Sequence, residues 1–416
     1  MNYSYDPDGP TRDGNGRWSD ALDRAHDIFP QLCEWRRRFH TRPELSFKEY
    51  ETAAYIIQVL ESIPGMTVTR NVGGTQGVIG HVGNFGGKHI ALRADMDALA
   101  IEEPFHHEFC SATPGIMHAC GHDGHMAILL GAAQLIAEDV MQNHIHAEVS
   151  FIFQPAEETA DDTQRTGAPY LVDAGALNGV DAVLALHMDP TTPVGLVRMH
   201  DGVCMANVDN FRARIEGKGG HAGYPNLALD PLWLLLPVLE AIHGIRSRRL
   251  SPLDQAAVSV CKIQGGTTNN VIPSFVDLEG TLRSYTDDSR DLIIKELQRS
   301  LEVAETLGGW FELQVQRGEP AVVNNAGLNR ILRQAVLEVT RMEPLWTGPF
   351  GMGGEDFGFM SQRIPGSLFF LGCAASPDKM TSLHAPDFFL DERALPLGVA
   401  VWLEAVKRMA QTDAGQ

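Results

Sequence analysis

The sequence predicts an α/β protein in two parts: a domain with a mostly parallel central sheet flanked by helices, and an α+β, ferredoxin-like domain inserted into it. Three observations carry this. The chain has 416 residues, too many for one ordinary hydrophobic core. Between helix-periodic stretches, three short apolar runs each lead straight into residues able to hold a metal, at Asp95, at Glu157-Glu158 and at His187. From residue 209 to 317 the rhythm becomes strand, helix, strand, strand, helix, strand, the order of a compact independent unit. The resulting boundaries are a flexible tail over 1–17, a main domain over 18–205 and 321–416, and an insertion over 206–320.

The elements follow in order. Residues 1–17 are polar, with Pro, Asp and Gly and no apolar stretch, so they form neither a signal peptide nor an anchor. Ser19 is placed to cap a helix running to His40, which Pro30 kinks or splits. Arg42-Pro43 breaks it, and a second helix over 48–62 carries Ala54, Ile56, Ile57 and Leu60 at helical spacing. Strands are expected over 78–82 and 89–95. After Gly124, Met126, Ile128, Leu129, Leu130 and Leu135 form a buried helix, and strands over 149–153 and 183–186 continue the alternation. In such sheets the site lies at the carboxyl ends of the strands, where Asp95, Asp97, Glu157, Glu158 and His187 all fall. In the insertion, strands over 209–216, 256–263, 275–285 and 310–317 enclose helices over 229–245 and 291–307.

Composition narrows the function classes. The hydrophobic share of 44% and charged share of 21% are those of a soluble globular protein. A formal net charge of −20 speaks against nucleic-acid binding and leaves no basic face for an anionic membrane. No run reaches the roughly 18 apolar residues of a membrane span. Six cysteines are scattered without paired spacing, which suits reduced thiols in a cytoplasmic protein.

The chemistry concentrates in Met117-His-Ala-Cys-Gly-His-Asp-Gly-His125, with one thiol, three imidazoles and one carboxylate in nine residues. Cys120 and His122 are two apart, and in an extended or looped backbone their side chains point the same way. A thiolate and an imidazole aimed at one point make half of a transition-metal site. The bland alternative is a buried cysteine beside unrelated histidines. Glu157 and Glu158 leave a strand side by side and so diverge. One can ligate a metal while the other, within reach of an activated water, works as general acid/base. A solvated acidic turn is the commoner fate of Glu-Glu, but the Phe-Ile-Phe strand before it favours a built site.

Other candidates are weaker alone. His187 follows Val-Leu-Ala-Leu as a third-strand ligand, and His384 is a lone loop histidine that its neighbours do not single out. Asp95 and Asp97 either hold ligand imidazoles from behind or cap the next turn. Gly217-Lys-Gly-Gly-His221-Ala-Gly presents one histidine on a glycine-rich turn without phosphate-loop spacing. Arg283, on a strand, suits a bidentate grip on a carboxylate or a surface salt bridge.

These segments resemble the metal-dependent amidohydrolases related to aminoacylase and carboxypeptidase G, in the branch of hippurate hydrolases, N-acyl-amino-acid amidohydrolases and plant auxin-conjugate hydrolases. The likeness rests on Arg38-Phe-His-Thr-Arg-Pro-Glu-Leu, Arg93-Ala-Asp-Met-Asp-Ala-Leu, Met117 to His125, Phe153-Gln-Pro-Ala-Glu-Glu, Gly217-Lys-Gly-Gly-His-Ala, Asn270-Val-Ile-Pro, Gly280-Thr-Leu-Arg, Gly354-Glu-Asp-Phe and Leu383-His-Ala-Pro, in family order from about residue 35 onward. The resemblance implies a catalytic domain with an inserted lid and dimerisation domain. It implies two divalent metal ions per subunit (zinc, manganese or cobalt) held by Cys120, His122, Glu158, His187 and His384, with Cys120 bridging. It makes Glu157 the general acid/base and His221 the lid histidine that reaches a homodimer partner's site and steadies the oxyanion. Asn270 and Arg283 fall on positions that bind the substrate carboxylate.

Two departures stand out. The segment after Glu158, Thr159-Ala-Asp-Asp-Thr-Gln-Arg-Thr, replaces a glycine-rich run, and Asn226 stands where a second histidine is common. The expected activity is cleavage of an N-acyl amino acid into a carboxylic acid and a free amino acid. A dipeptidase or carboxypeptidase on the same scaffold, or a non-catalytic metal-binding homologue, are the alternatives.

Overall fold

A computed structural model describes residues 19–83, 86–104 and 108–411. The tail expected over 1–17 lies outside them. The chain divides into two compact units. The first holds the described residues up to Gly202, Val323–Gly348 and those from Phe359 onward, and the second holds Val203–Val322 with Pro349–Gly358.

In the first unit the helix expected to start at Ser19 is two: α1 (Asp20–Asp27) and α2 (Phe29–Thr41). Ser19 Oγ accepts from Leu22 N at 3.2 Å and caps α1, while Pro30 sits in the first turn of α2, where its missing N–H costs nothing. Then come α3 (Tyr50–Ser62), β1 (Thr67–Val72), β2 (Gly77–Val82), β3 (Lys88–Asp95), α4 (His122–Met141), β4 (Ala147–Gln154), α5 (Gly167–Asp173), β5 (Ala182–Pro193) and β6 (Val197–Met199). β1 was not anticipated, because most of its side chains are exposed and carry no apolar alternation. Between the units' boundaries run β7 (Gly202–Met205), β8 (Asn207–Glu216), β9 (Gly220–His221), α6 (Pro231–Arg248), β10 (Ala256–Gly265), β11 (Val271–Ile272), β12 (Phe275–Ser284), α7 (Asp287–Thr306), β13 (Trp310–Arg317) and β14 (Val322–Asn324). The chain ends with α8 (Ala326–Thr340), β15 (Leu345–Trp346), α9 (Gly358–Ser361), β16 (Gly366–Ala374) and α10 (Ala394–Gln411).

The main sheet has the order β1-β2-β4-β3-β5-β16-β6-β15. Its four central strands, β4-β3-β5-β16, are parallel, and antiparallel strands extend both edges. Alternate residues divide its faces. Ile90, Leu92, Val149, Phe151, Phe153, Leu184, Leu186, Phe369 and Leu371 enter one apolar core with α4 and α10. The other set carries Arg93, Gln154 and His187, polar yet buried. Asp95 pairs with Gln154, so β3 and β4 end level and release Asp97 and Glu157 from the same edge. α4 is buried almost all round, as expected of a helix running through a core. Truncating Leu130 or Phe151 would cost about 2–5 kcal/mol.

The second unit has the antiparallel order β10-β12-β8-β13 with α6 and α7 packed on it, the ferredoxin-like arrangement. Phe211 and Ile215 of β8, Val238 and Ile242 of α6 and Leu297 and Leu301 of α7 form its core. Residues 349–358 belong with this unit because Ala206 N donates to Gly353 O (3.0 Å), Phe350 N to Cys204 O (2.8 Å) and Tyr285 OH to Gly351 O (2.8 Å). No described helix is long and apolar enough to cross a membrane.

Candidate metal centre

The segment 117–125 is fixed at both ends. Met117 exchanges two backbone hydrogen bonds with Leu99, each 3.0 Å, and His122 opens α4. Of the extended and looped backbones that the spacing allows, Cys120 and His122 converge on a looped one. Gly121 between them is left-handed (φ 91°), and a Cβ there would lie 3.0 Å from Met188 Cβ. A glycine hinge at a helix start brings the two side chains round.

Among the described residues, two of the groups of potential ligands share Cys120: Cys120 with His122 and His187, and Cys120 with Glu158 and His384. Within each group the atoms lie within 4.8 Å of one another, and Cys120 is common to both. Cys120 Sγ is 3.4 Å from His187 Nε2. Both buried imidazoles have their tautomer set from behind. His122 Nδ1 donates to Asp97 O (2.8 Å) and His187 Nδ1 to Met188 O (2.8 Å), so each ring's Nε2 is the nitrogen left for the centre. His384 has φ 57° and donates its N–H to Ala119 O (2.9 Å), tying its loop to the same segment.

The donor set fits a cation. His122 Nε2 and Glu158 Oε1 are buried and make no hydrogen bond, though His384 Nε2 approaches Glu158 Oε1 to 3.2 Å. Burial works against charge on His122, but Asp95, Asp97 and Glu158 outweigh it and push its pKa up to about 10. Burial and then Glu158, Glu157 and Asp95 push the Cys120 thiol well up. The contact with Glu158 raises His384 against its burial. The pocket therefore stabilises positive charge at His122 Nε2, whether a proton or a metal ion, and a metal ion would reverse the thiol's preference.

Asp97 and Asp95 do different work. Asp97 Oδ1 and Oδ2 accept from Glu157 N (3.1 Å) and Glu158 N (3.0 Å), and Ser46 Oγ donates to Oδ2 (2.6 Å). One carboxylate thus orients both glutamates, while its own carbonyl orients His122. Asp95 accepts from His125 Nδ1 (2.6 Å), and its carboxylate lies 3.7 Å from His122 Nε2, close enough that its charge helps to hold the His122 pKa up. His125 Nε2 accepts from Met188 N (2.8 Å), so the ring is neutral with its proton on Nδ1, and burial lowers its pKa to about 4. His125 is a strut between α4, β3 and β5.

Further residues at the centre went unassigned in the sequence. Arg93 Nε donates to Gln154 (2.9 Å) and Nη1 to Asp95 (2.8 Å). Behind His122, buried Asp123 accepts from Arg36 Nε (2.7 Å) and contacts His40 Nδ1 (2.8 Å). The signal was available: Arg36 and His40 are four apart on one face of α2, a pairing that can serve one carboxylate. The acidic segment after Glu158 closes on itself. Asp161 accepts from Thr163 N (2.8 Å), Thr163 Oγ1 (2.7 Å), Arg165 N (3.2 Å) and Tyr170 OH (2.6 Å), and the Tyr170 bond foremost lowers its pKa to about 2.

His221, Asn270 and Arg283 lie in the second unit. His221 is exposed on β9, paired with Val271 of β11. Its Nδ1 accepts from Gly223 N (2.9 Å), leaving Nε2 as the proton donor. Asn270 O accepts from Ala222 N (3.1 Å), beside it. Arg283 is on β12 opposite Val208, and burial lowers its pKa.

Known proteins share this architecture. The family description "Peptidase family M20/M25/M40" matches residues 91–408. An N-acetyl-L-cysteine deacetylase of Bacillus subtilis is 37% identical over 388 residues, covering 92% of this chain and 89% of that one. Thermostable carboxypeptidase 2 of Saccharolobus solfataricus is 35% identical, with 91% and 96% covered. The crystal structure of a dinuclear metal-binding peptidase from Bacillus subtilis superposes with a TM-score of 0.80 at 32% identity, over 92% of this chain and 98% of that one. With that match and the donor set described, the chain belongs to peptidase family M20/M25/M40 and is a metal-dependent hydrolase of amide bonds.

Proposed function

We propose that the enzyme cleaves N-acyl amino acids into a carboxylic acid and a free amino acid. The observation that carries this is the pair of donor groups sharing Cys120, beside two adjacent glutamates whose amides are held by one aspartate. Cys120, His122, Glu158, His187 and His384 would hold two divalent ions, Cys120 being the residue common to both donor groups. A Cys/His/Glu set suits zinc by softness, with manganese and cobalt as the other candidates. Ions held there supply Lewis acidity, which polarises a carbonyl and makes water acidic near neutral pH. Glu157 accepts a proton from the attacking water and delivers it to the leaving amine nitrogen. The Nε2–H of His221 donates to the developing oxyanion, and Asn270 and Arg283 take the substrate carboxylate.

The N-acyl preference is supported by the deacetylase relative. The carboxypeptidase relative favours a second reading, peptide substrates on the same machinery. The deciding experiment is release of amino acid from N-acetyl, N-benzoyl, indole-acetyl and aminoacyl conjugates, by protein stripped of metal and reloaded with zinc, manganese or cobalt. Release from acyl conjugates only with metal is expected. Preference for the aminoacyl conjugates would select the second reading, and binding without release would overturn both.

A homodimer formed through the second unit is part of this reading, with His221 supplied to the partner copy's centre. It is supported by the one-sided edge strand β10 and by Trp233 and Leu236 of α6, exposed by 50% and 65%. The cytoplasm is the assigned compartment, in keeping with six cysteines outside any disulfide.

A further inference from the structure

Glu49 is a fully buried carboxyl group with no part in the chemistry above. It precedes α3 but does not cap it with its side chain. Oε1 instead accepts from Phe47 N (3.0 Å) and, far along the chain, from Ala156 N (2.8 Å). Oε2 is buried and has no hydrogen-bond partner. Burial, then the nearby Asp97 carboxylate, pushes the Glu49 pKa up to about 8, so near neutral pH it is an uncharged acid.

Its target is unusual. Ala156 has φ 52°, a left-handed conformation that a residue with a Cβ adopts only where its surroundings impose it. Ala156 immediately precedes Glu157. Its carbonyl accepts from Gly167 N (2.7 Å), and a Cβ on Gly167 would fall 1.7 Å from Pro155 O. The next two amides go to Asp97. Glu49 thus grips one side of the turn, Gly167 and Asp97 the others.

We propose, on the roles assigned above to Glu157 and Glu158, that Glu49 is a positioning residue: it clamps the Ala156 N–H and so fixes the left-handed turn from which both glutamates project. An uncharged acceptor does this without adding a further negative charge beside two carboxylates that must stay ionised. An amide oxygen in the same place should serve as well, and a side chain that cannot reach Ala156 should not.

The test uses full-length Glu49→Gln and Glu49→Ala proteins. The readouts are kcat and KM on the best substrate of the panel, zinc affinity by chelator competition, and thermal unfolding. Glu49→Ala should lower kcat at least about tenfold with KM within about twofold, and weaken zinc by about tenfold, the usual effect of removing a group that orients a ligand. Glu49→Gln should stay within about threefold of the parent in both, which a requirement for the charge would not allow. If the alanine protein does not fold, Glu49→Asp, too short to reach Ala156, takes its place with the same expected loss. A folded alanine or aspartate variant matching the parent, or a glutamine variant as impaired as they are, overturns the proposal. Glu157→Gln run alongside separates the two readings. Full activity there refutes the role given to Glu157, while zinc affinity still reports on Glu49.

Discussion

His122 and His221 each follow a glycine, yet one is locked from behind and the other stands in solvent. His122 is wholly buried, its Nδ1 engaged by Asp97 O, its helix anchored through Asp123 to Arg36 and His40. His221 sits on a two-residue strand, its tautomer set by Gly223 of its own turn. The difference matches the tasks proposed for them. A metal ligand must be in place before the ion arrives, because each degree of freedom frozen on binding weakens it. A donor to a developing oxyanion is needed only with substrate present, and it can be delivered on a moving part.

The sharpest way to break that comparison is at Glu157. Glu157→Gln should lower kcat by at least about a hundredfold while zinc affinity stays near the parent value, the size usual for general acid/base catalysis. An equal loss of zinc would mean that Glu157 and Glu158 have been exchanged. Next comes His221→Ala. It should lower kcat by about a hundredfold, typical of an oxyanion donor, with zinc affinity and melting temperature unchanged. A fall in zinc affinity would put His221 in the metal centre and erase the contrast with His122.

The smallest effect concerns pH. His122 is raised to about 10 from 6.5, so its protonated form stabilises the metal-stripped fold fully below about pH 6.5. That contribution is lost as pH rises through 10. Glu49, raised to about 8, also costs stability as pH rises, but its share is complete by about pH 8. Stripped protein should therefore lose melting temperature by a few degrees between about pH 8 and 10, and zinc-loaded protein should lose less, since the ion replaces the proton. Parallel curves for the two forms would show that His122 is not where the ion competes.

Legibility in the sequence followed locality. The apolar runs of β3, β4 and β5 announced themselves because parallel central strands are buried on both faces. The ferredoxin-like order was readable from a different pattern, the alternation of an antiparallel sheet packed on one face, as in β8. The edge strand β1, largely exposed, left no such trace. In the centre, the ligand-type residues were visible as residue types at strand ends. Their supports were not, because Glu49 reaches Ala156 and Arg36 reaches Asp123 across chain separations that no local pattern encodes. The sequence leaves Asp95 between holding a ligand imidazole and capping a turn, and its hydrogen bond to His125 follows from packing, which alone decides which of two neighbouring imidazoles a carboxylate meets.

The sequence by itself determined the fold class, the acidic character and the inventory of metal-binding side chains, all consequences of composition and short-range period. Only the tertiary structure decided how they work together. It set the left-handed Gly121 that turns Cys120 toward His122, the tautomers fixed by Asp97 O and Met188 O, and the clamp of Glu49, Gly167 and Asp97 around Ala156. These are backbone conformations and hydrogen bonds between distant segments, and their energies exist only once the segments have been brought together.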